Sequence, residues 1–133
     1  MTNKKIYEIG EIPEIGVVPD EMYAWVIREQ RLGVPEKAMQ IEKMPVQKPG
    51  KDEVLVMVMA VGINYNNVWA SQGIPISVIG EDTGYHIGGS DASGIVWAIG
   101  DNVKRWKVGD EVIVHCNRDD GDDEECNGGE PMY

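Results

Sequence analysis

The segment Gly88-Gly89-Ser90-Asp91-Ala92-Ser93-Gly94-Ile95-Val96 is the most informative part of this sequence. Its last residues begin a predicted strand from Gly94 to Ile99, where the glycine would let the backbone approach a neighbour closely or turn a corner. Gly100-Asp101-Asn102 predicts a turn after this strand. A second turn and a strand from Glu111 to Cys116 follow.

Alternating or continuous apolar runs predict further strands upstream of this segment. The strongest is Glu53 to Ile63, whose residues are apolar on both faces, which predicts a central position in a sheet. Asn64 to Ser71 predicts a short helix capped by Asn64 or Asn66, and Glu29 to Glu36 reads as a loop. The other two strand candidates are Met22 to Arg28 and Ala38 to Met44.

The predicted elements are mostly short strands separated by turns, which is typical of a mainly β barrel or sandwich. A GxGxxG motif that follows a strand and opens a helix is absent from the sequence, so no Rossmann unit is predicted. The length of 133 residues fits one globular domain.

Charge and hydropathy exclude several classes of function. The formal net charge is -11, from 12 basic and 23 acidic residues, which argues against nucleic acid and against anionic membrane surfaces as partners. The N-terminus lacks the apolar core of a signal peptide, and no apolar run approaches the length of a membrane span. We therefore expect a cytoplasmic protein, with Cys116 and Cys126 as reduced thiols.

Three places in the chain resemble the GroES-like domain of the medium-chain dehydrogenase/reductase superfamily: residues 62–69, 88–96 and 106–114. More narrowly, residues 85–94 and 115–129 resemble the crotonyl-CoA carboxylase/reductase family. The resemblance implies a mainly β fold, a GroES-like partly open β-barrel with one short helix.

The resemblance also implies a domain organisation. We expect an N-terminal arm over residues 1–21, a GroES-like catalytic domain over 22–117, and an acidic Gly-rich segment over 118–133. That last segment would lead to a nucleotide-binding domain outside this chain, which would bind most of the NADPH. The resemblance further implies a homo-oligomer in the full-length form, and we expect this chain to be inactive alone.

The zinc ligands of related alcohol dehydrogenases are absent from the matching positions. Asn64 stands where those relatives have a cysteine ligand, and Gly89-Ser90-Asp91 replaces a Gly-His-Glu motif that supplies a histidine ligand. The chain has only two cysteines, so the four-cysteine structural zinc site is also missing. Amide and hydroxyl groups are poor zinc ligands, and we expect no bound metal.

The reaction that the resemblance implies is reductive carboxylation. NADPH would reduce crotonyl-CoA at its β-carbon, and the resulting enolate would attack CO2 to give ethylmalonyl-CoA. The family uses an asparagine of the Asn-Tyr-Asn loop for the CO2, so the resemblance assigns CO2 and enolate positioning to Asn64, with Asn66 as the rival. In a purely structural interpretation, Asn64 only caps the short helix.

Four further residues are candidates for binding the acyl-CoA thioester: Tyr65, Trp69, His86 and Ser90. Each also has a structural interpretation. Two aromatic residues near a helical turn are often part of a core, a histidine beside a strand is often hydrogen-bonded inside the fold, and Ser90 with Asp91 could stabilise the turn below the site.

Two alternative functions fit parts of the same evidence. A non-carboxylating reductase of enoyl-CoA, such as acryloyl-CoA, or of quinones would share the zinc-free GroES-like domain. A stand-alone GroES-like module for binding or assembly would share the fold but would leave the Asn-Tyr-Asn loop without an explanation.

Overall fold

The computed structural model describes residues 4–116, and Asn117 and the acidic segment predicted over 118–133 lie outside the described residues. The fold is mainly β, as predicted. Six strands and two short α-helices follow in chain order, with a 3-10 turn at Glu29–Arg31 after the first strand. They are β1 Glu21–Arg28, α1 Pro35–Ala38, β2 Met39–Pro45, β3 Val54–Val61, α2 Asn66–Gln72, β4 Tyr85–Ile87, β5 Ala92–Ile99 and β6 Glu111–Val114.

The sequence predicts one short helix, whereas the described part of the chain contains two α-helices. The additional helix, α1, begins at Pro35, inside the segment predicted as a loop. Proline is favoured at the first position of a helix because its fixed φ suits the helix and its missing N–H would have no partner there. A proline can thus indicate either a loop or the start of a helix, and Pro35 starts the helix α1.

The strands form two antiparallel three-stranded sheets, in the orders β2-β1-β4 and β3-β5-β6. Within residues 4–116 the two sheets share no strand, so they do not close into a continuous barrel. Among the described residues β3 pairs only with β5 and lies at a sheet edge, so the predicted central position of β3 is wrong for this part of the chain. Its apolar residues on both faces reflect an uncovered surface, because the second half of β3 is exposed.

The buried side chains come from both sheets. Val26 and Ile27 of β1 and Val96 of β5 are fully buried, and Trp97 is nearly so. The indole Nε1 of Trp97 donates a hydrogen bond of 2.8 Å to the carbonyl oxygen of Val17. This bond fastens the segment before β1 to the second sheet.

Gly94 allows β5 to approach β3 closely, as the sequence predicts. A Cβ atom at this position would lie well inside van der Waals contact with the Met57 carbonyl oxygen on β3, and 2.8 Å from Cγ1 of Val56. The pairing of β3 with β5 also has an irregularity between Val58 and Ala60, next to the partner of Gly94. Such bulges bend a strand and increase its twist.

An ion-pair cluster joins β1, β2 and the 3-10 turn. The Glu42 carboxylate accepts hydrogen bonds from Nη2 of Arg28 at 2.6 Å and from Nη2 of Arg31 at 2.7 Å. Arg31 also donates to the carbonyl oxygen of Val26 at 3.0 Å. The hydrogen bonds from Arg28 and Arg31 lower the pKa of Glu42 from its ordinary 4.5 to about 2.

Replacing Glu42 by glutamine should lower the free energy of unfolding by about 1–2 kcal/mol at neutral pH, because two arginines lose a charged acceptor. A lowered pKa in the folded state stabilises the fold above the unfolded value of 4.5, and this contribution is lost as the pH falls towards 2. Denaturant unfolding of wild type and Glu42→Gln should therefore differ above pH 5 and converge near pH 2.

A matched control is Glu14→Gln, because Glu14 is exposed. Its unfolding curve should follow that of the wild type across the same pH range. A Glu42→Gln deficit that persists unchanged at pH 2 would contradict the assigned pKa.

Among residues 4–116, neither helix has the length and apolar character needed to cross a membrane.

Candidate active site

The loop between β3 and α2 presents Asn64 at the start of the helix. The helix begins at Asn66 with Tyr65 as its N-cap residue, whose side chain makes no capping bond. Oδ1 of Asn64 instead accepts a hydrogen bond of 2.9 Å from the backbone N–H of Asn66. Asn64 thus accepts a hydrogen bond at the start of the helix, although it is not the N-cap residue. The prediction that Asn66 is the cap is wrong, since Asn66 is the first residue inside the helix.

The other side of the Asn64 amide faces the segment before β5. Nδ2 of Asn64 donates to Oγ of Ser90 at 3.1 Å and also to Oδ2 of Asp91. Oγ of Ser90 donates to the same Oδ2 of Asp91 at 3.0 Å. These three residues form a closed set of hydrogen bonds, here called the amide triangle, in which every side chain contacts the other two.

A backbone hydrogen bond also links the segment of Asp91 to the end of β3. The N–H of Gly62 donates to the carbonyl oxygen of Asp91 at 3.4 Å, at the point where β3 ends. A Cβ atom at Gly62 would lie 3.3 Å from Cβ of Asp91. The side chains of Ser90 and Asp91 thus contact Asn64, while the backbone of Asp91 contacts Gly62.

The amide triangle does not suit a zinc ion. It offers an amide, a hydroxyl and one carboxylate, whereas zinc in proteins is held by thiolate, imidazole or carboxylate groups. These side chains also satisfy one another by hydrogen bonding, so no donor set is left open. Within the described residues 4–116, no group of three or more His, Cys, Asp or Glu side chains could hold a metal ion.

We predict that the purified chain contains far less than one zinc ion per molecule when it is prepared without chelators. Elemental analysis of the protein peak checks this directly. As a positive control, the double variant Asn64→Cys, Ser90→His restores a thiolate and an imidazole beside Asp91 and should bind more zinc than the wild type. One zinc ion per wild-type chain would contradict the prediction.

Tyr65 and Trp69 form an aromatic pair on the surface beside Asn64. Their ring centroids are 5.4 Å apart, and the planes meet at 76°, in an edge-to-face arrangement. Tyr65 is 64% exposed and Trp69 is 46% exposed, so the interpretation that they belong to the core is wrong. Together with Ile63, which is 98% exposed, they give Asn64 an apolar neighbouring surface that a ligand can contact.

His86 lies on β4, where it is paired with Ile27 of β1. It is half-buried, and this desolvation lowers its pKa, which favours the neutral imidazole. Within the part of the chain that the structure describes, no hydrogen bond or ion pair joins His86 to the amide triangle. Among the predicted candidates, the structure thus brings together Asn64 and Ser90, and the aromatic pair lies beside them.

Asp91 is the member of the site that the sequence did not identify as such. From the sequence, Asp91 is predicted only to stabilise the turn below the site, together with Ser90. The available signal was the replacement of Gly-His-Glu by Gly89-Ser90-Asp91, which puts a carboxylate directly after a candidate residue.

The mainly β fold, with two three-stranded sheets and a short helix that follows the Asn64 loop, is consistent with a GroES-like domain. The chain belongs to the alcohol dehydrogenase GroES-like domain family, whose model matches residues 50–133. Over 131 residues it is 63% identical to the crotonyl-CoA carboxylase/reductase of Cereibacter sphaeroides. The match covers 98% of this chain and 30% of that protein, so the chain spans about a third of the length of this relative.

Solved structures give the same result. A crotonyl-CoA carboxylase/reductase matches with a TM-score of 0.87 and 64% identity, over 98% of this chain and 31% of that one. The 2-octenoyl-CoA carboxylase reductase CinF, in complex with NADP and 2-octenoyl-CoA, matches with a TM-score of 0.68 and 37% identity, over 74% of this chain and 27% of that one. The predicted resemblance to the crotonyl-CoA carboxylase/reductase family is confirmed.

Proposed function

We propose that this chain is the substrate-facing domain of an NADPH-dependent reductive carboxylase that converts crotonyl-CoA and CO2 to ethylmalonyl-CoA. The observation that carries the proposal is the amide triangle. At 63% identity to a crotonyl-CoA carboxylase/reductase, the chain holds an oriented amide at the position where zinc-dependent relatives hold a metal ligand. An amide N–H is a suitable donor to the acceptor oxygens of CO2, which carries no charge of its own.

The chemistry needs a donor because negative charge develops during the reaction. NADPH would supply a hydride to the β-carbon of the conjugated thioester. The charge then develops on the thioester oxygen, and the α-carbon becomes the nucleophile that attacks CO2. A hydrogen-bond donor fixed before the reaction stabilises such charge without reorganising during it. Asn64 is our candidate for positioning CO2 or the enolate, and the side chain of Asn66 is the rival.

The aromatic pair is our candidate for contact with the acyl-CoA. An exposed edge-to-face pair presents a fixed apolar surface beside Asn64, against which an acyl chain can lose its contact with water. Ser90 belongs to the same site through its bond to Asn64. We also keep His86 as a substrate-binding candidate on β4, because its neutral imidazole could donate a hydrogen bond or accept one.

Replacing Trp69 by alanine should raise the KM for crotonyl-CoA about threefold to tenfold, because an aromatic contact is worth about 1 kcal/mol beyond its area. The effect on kcat should be small if the ring binds substrate and transition state equally. Steady-state kinetics of the enzyme that contains this domain measures both constants. Tyr65→Phe is the matched control, since it keeps the ring, and a Trp69→Ala enzyme with unchanged KM would contradict the assignment.

The chain covers only 30% of the length of its crotonyl-CoA carboxylase/reductase relative, which leaves room for a further domain in such a protein. We propose that the domain acts within a longer cytoplasmic protein whose nucleotide-binding domain binds most of the NADPH, and that this protein is a homo-oligomer. No residue of this chain is assigned to the cofactor. The chain alone is expected to show no NADPH turnover.

The test of the proposed class compares substrates. The enzyme formed by this chain and its nucleotide-binding domain is assayed for NADPH oxidation with crotonyl-CoA, acryloyl-CoA and a quinone. Fastest oxidation with crotonyl-CoA supports the proposal, and preference for acryloyl-CoA or a quinone would replace it by a simple reductase. Absence of turnover with all three, together with specific binding of a protein by the GroES-like domain, would favour a binding module.

A further inference from the structure

We infer that Asp91 is a positioning residue that fixes the Asn64 amide, and that CO2 displaces Ser90 from one of the two Nδ2 hydrogens of Asn64. The inference rests on the proposed function for the identity of the ligand. Its structural part rests on the amide triangle alone, in which Asn64, Ser90 and Asp91 all contact one another.

The orientation of the amide is determined from both sides. On one side the backbone N–H of Asn66 requires an acceptor, which is Oδ1 of Asn64 at 2.9 Å. On the other side the Asp91 carboxylate, which accepts and does not donate when ionised, requires a donor, which is Nδ2. A rotation of the amide by half a turn would break both bonds and bring two oxygen atoms together. Asp91 therefore keeps the N–H groups on the side of Ser90.

Both Nδ2 hydrogens are used within the chain, so a ligand must take the place of one acceptor. The bond to Asp91 is assisted by the charge of the carboxylate, and such bonds are the stronger class. The bond to Ser90, at 3.1 Å, joins two neutral groups. Ser90 also donates its own hydrogen to Asp91 at 3.0 Å, so its hydroxyl stays bonded when Asn64 turns to a ligand.

Asn64, Ser90 and Asp91 are all only partly buried, so the amide triangle is not sealed inside the fold. A neutral molecule with an acceptor oxygen can thus replace Ser90 without leaving a charge unpaired. The two neighbours of Asn64 are consequently expected to have opposite effects: Asp91 favours ligand binding by orienting the amide, and Ser90 competes with the ligand for it.

The first experiment needs no activity. In the 15N-labelled chain of 133 residues, the two side-chain amide protons of Asn64 are followed by NMR. Ser90→Ala should shift one proton towards the value of a solvated amide and leave the other unchanged. Asp91→Ala should shift both and speed the exchange of the two proton positions, whereas Asp91→Asn should restore the wild-type pattern in part, because its amide oxygen accepts. An unchanged pattern in Asp91→Ala would overturn the positioning role.

The second experiment measures the KM for CO2 and the ratio of carboxylated to reduced product in the complete enzyme. Asp91→Ala should lower that ratio about tenfold, as expected for a partner that orients a binding group, with partial recovery in Asp91→Asn. Ser90→Ala should lower the KM for CO2 about twofold to threefold, because one competing neutral bond is removed. Ser93→Ala, in the same segment, is the matched control with unchanged values.

A higher KM for CO2 in Ser90→Ala would overturn the displacement. If the wild-type enzyme forms no carboxylated product, the proposed function fails and with it the identity of the ligand. The NMR result then still decides whether Asp91 orients Asn64.

Discussion

A Gly94→Ala chain is expected to lose about 3 kcal/mol or more of its free energy of unfolding, a large share of what a domain of this size has. The added methyl group would collide with the backbone carbonyl of Met57 and lie 2.8 Å from Cγ1 of Val56. A backbone atom of the paired strand cannot rotate away as a side chain can. Relief therefore requires β3 and β5 to separate, although their pairing holds the second sheet together.

Gly88→Ala is the matched control, from the same segment. Its added Cβ would lie 2.8 Å from Cε of Met39, which is the far end of a flexible side chain and can move. Both substitutions reduce the conformational freedom of the unfolded chain in the same way, so their difference reports on the folded state. Denaturant unfolding of the two variants should show a much larger loss for Gly94→Ala, and equal losses would contradict the close approach of β5 to β3.

The second large effect is expected for Asn64→Leu in the complete enzyme. Leucine is similar in size but has neither a donor for CO2 nor an acceptor for the N–H of Asn66. Removing one preorganised donor costs about a hundredfold or more in rate. The ratio of ethylmalonyl-CoA to butyryl-CoA should therefore fall by about that factor, while crotonyl-CoA is still reduced.

Asn66→Leu separates the two asparagines. The backbone N–H of Asn66 is unaffected by this change and still binds Oδ1 of Asn64. Product analysis of this variant should give nearly the wild-type ratio. A loss of carboxylation in Asn66→Leu but not in Asn64→Leu would transfer the role to the rival residue.

Much of the fold could be predicted because local signals and tertiary contacts agree. The strand from Gly94 to Ile99 and the close approach at Gly94 follow from the glycine and the apolar run after it. The position of β3 could not be predicted in this way. Apolar residues on both faces indicate burial on average, but here the second half of the strand is exposed at a sheet edge.

Individual residues of the candidate site could be predicted from the sequence, but the contacts between them could not. Asn64 and Ser90 were each identified by their place in a motif, whereas their contact joins positions 26 residues apart. Single-sequence reasoning carries no information on such a tertiary contact, so the part played by Asp91 was missed. The sequence does not decide whether Tyr65 and Trp69 lie in the core or at the surface. In the structure, the short helix buries only Ala70 and Ser71.

The most direct test of the account is the mass of the product formed from crotonyl-CoA and NADPH in the presence of 13C-labelled bicarbonate. The enzyme that contains this domain should yield ethylmalonyl-CoA carrying one labelled carbon, and Asn64→Leu should yield butyryl-CoA. Unlabelled butyryl-CoA from the wild-type enzyme at every bicarbonate concentration would contradict the account and leave a simple enoyl-CoA reductase.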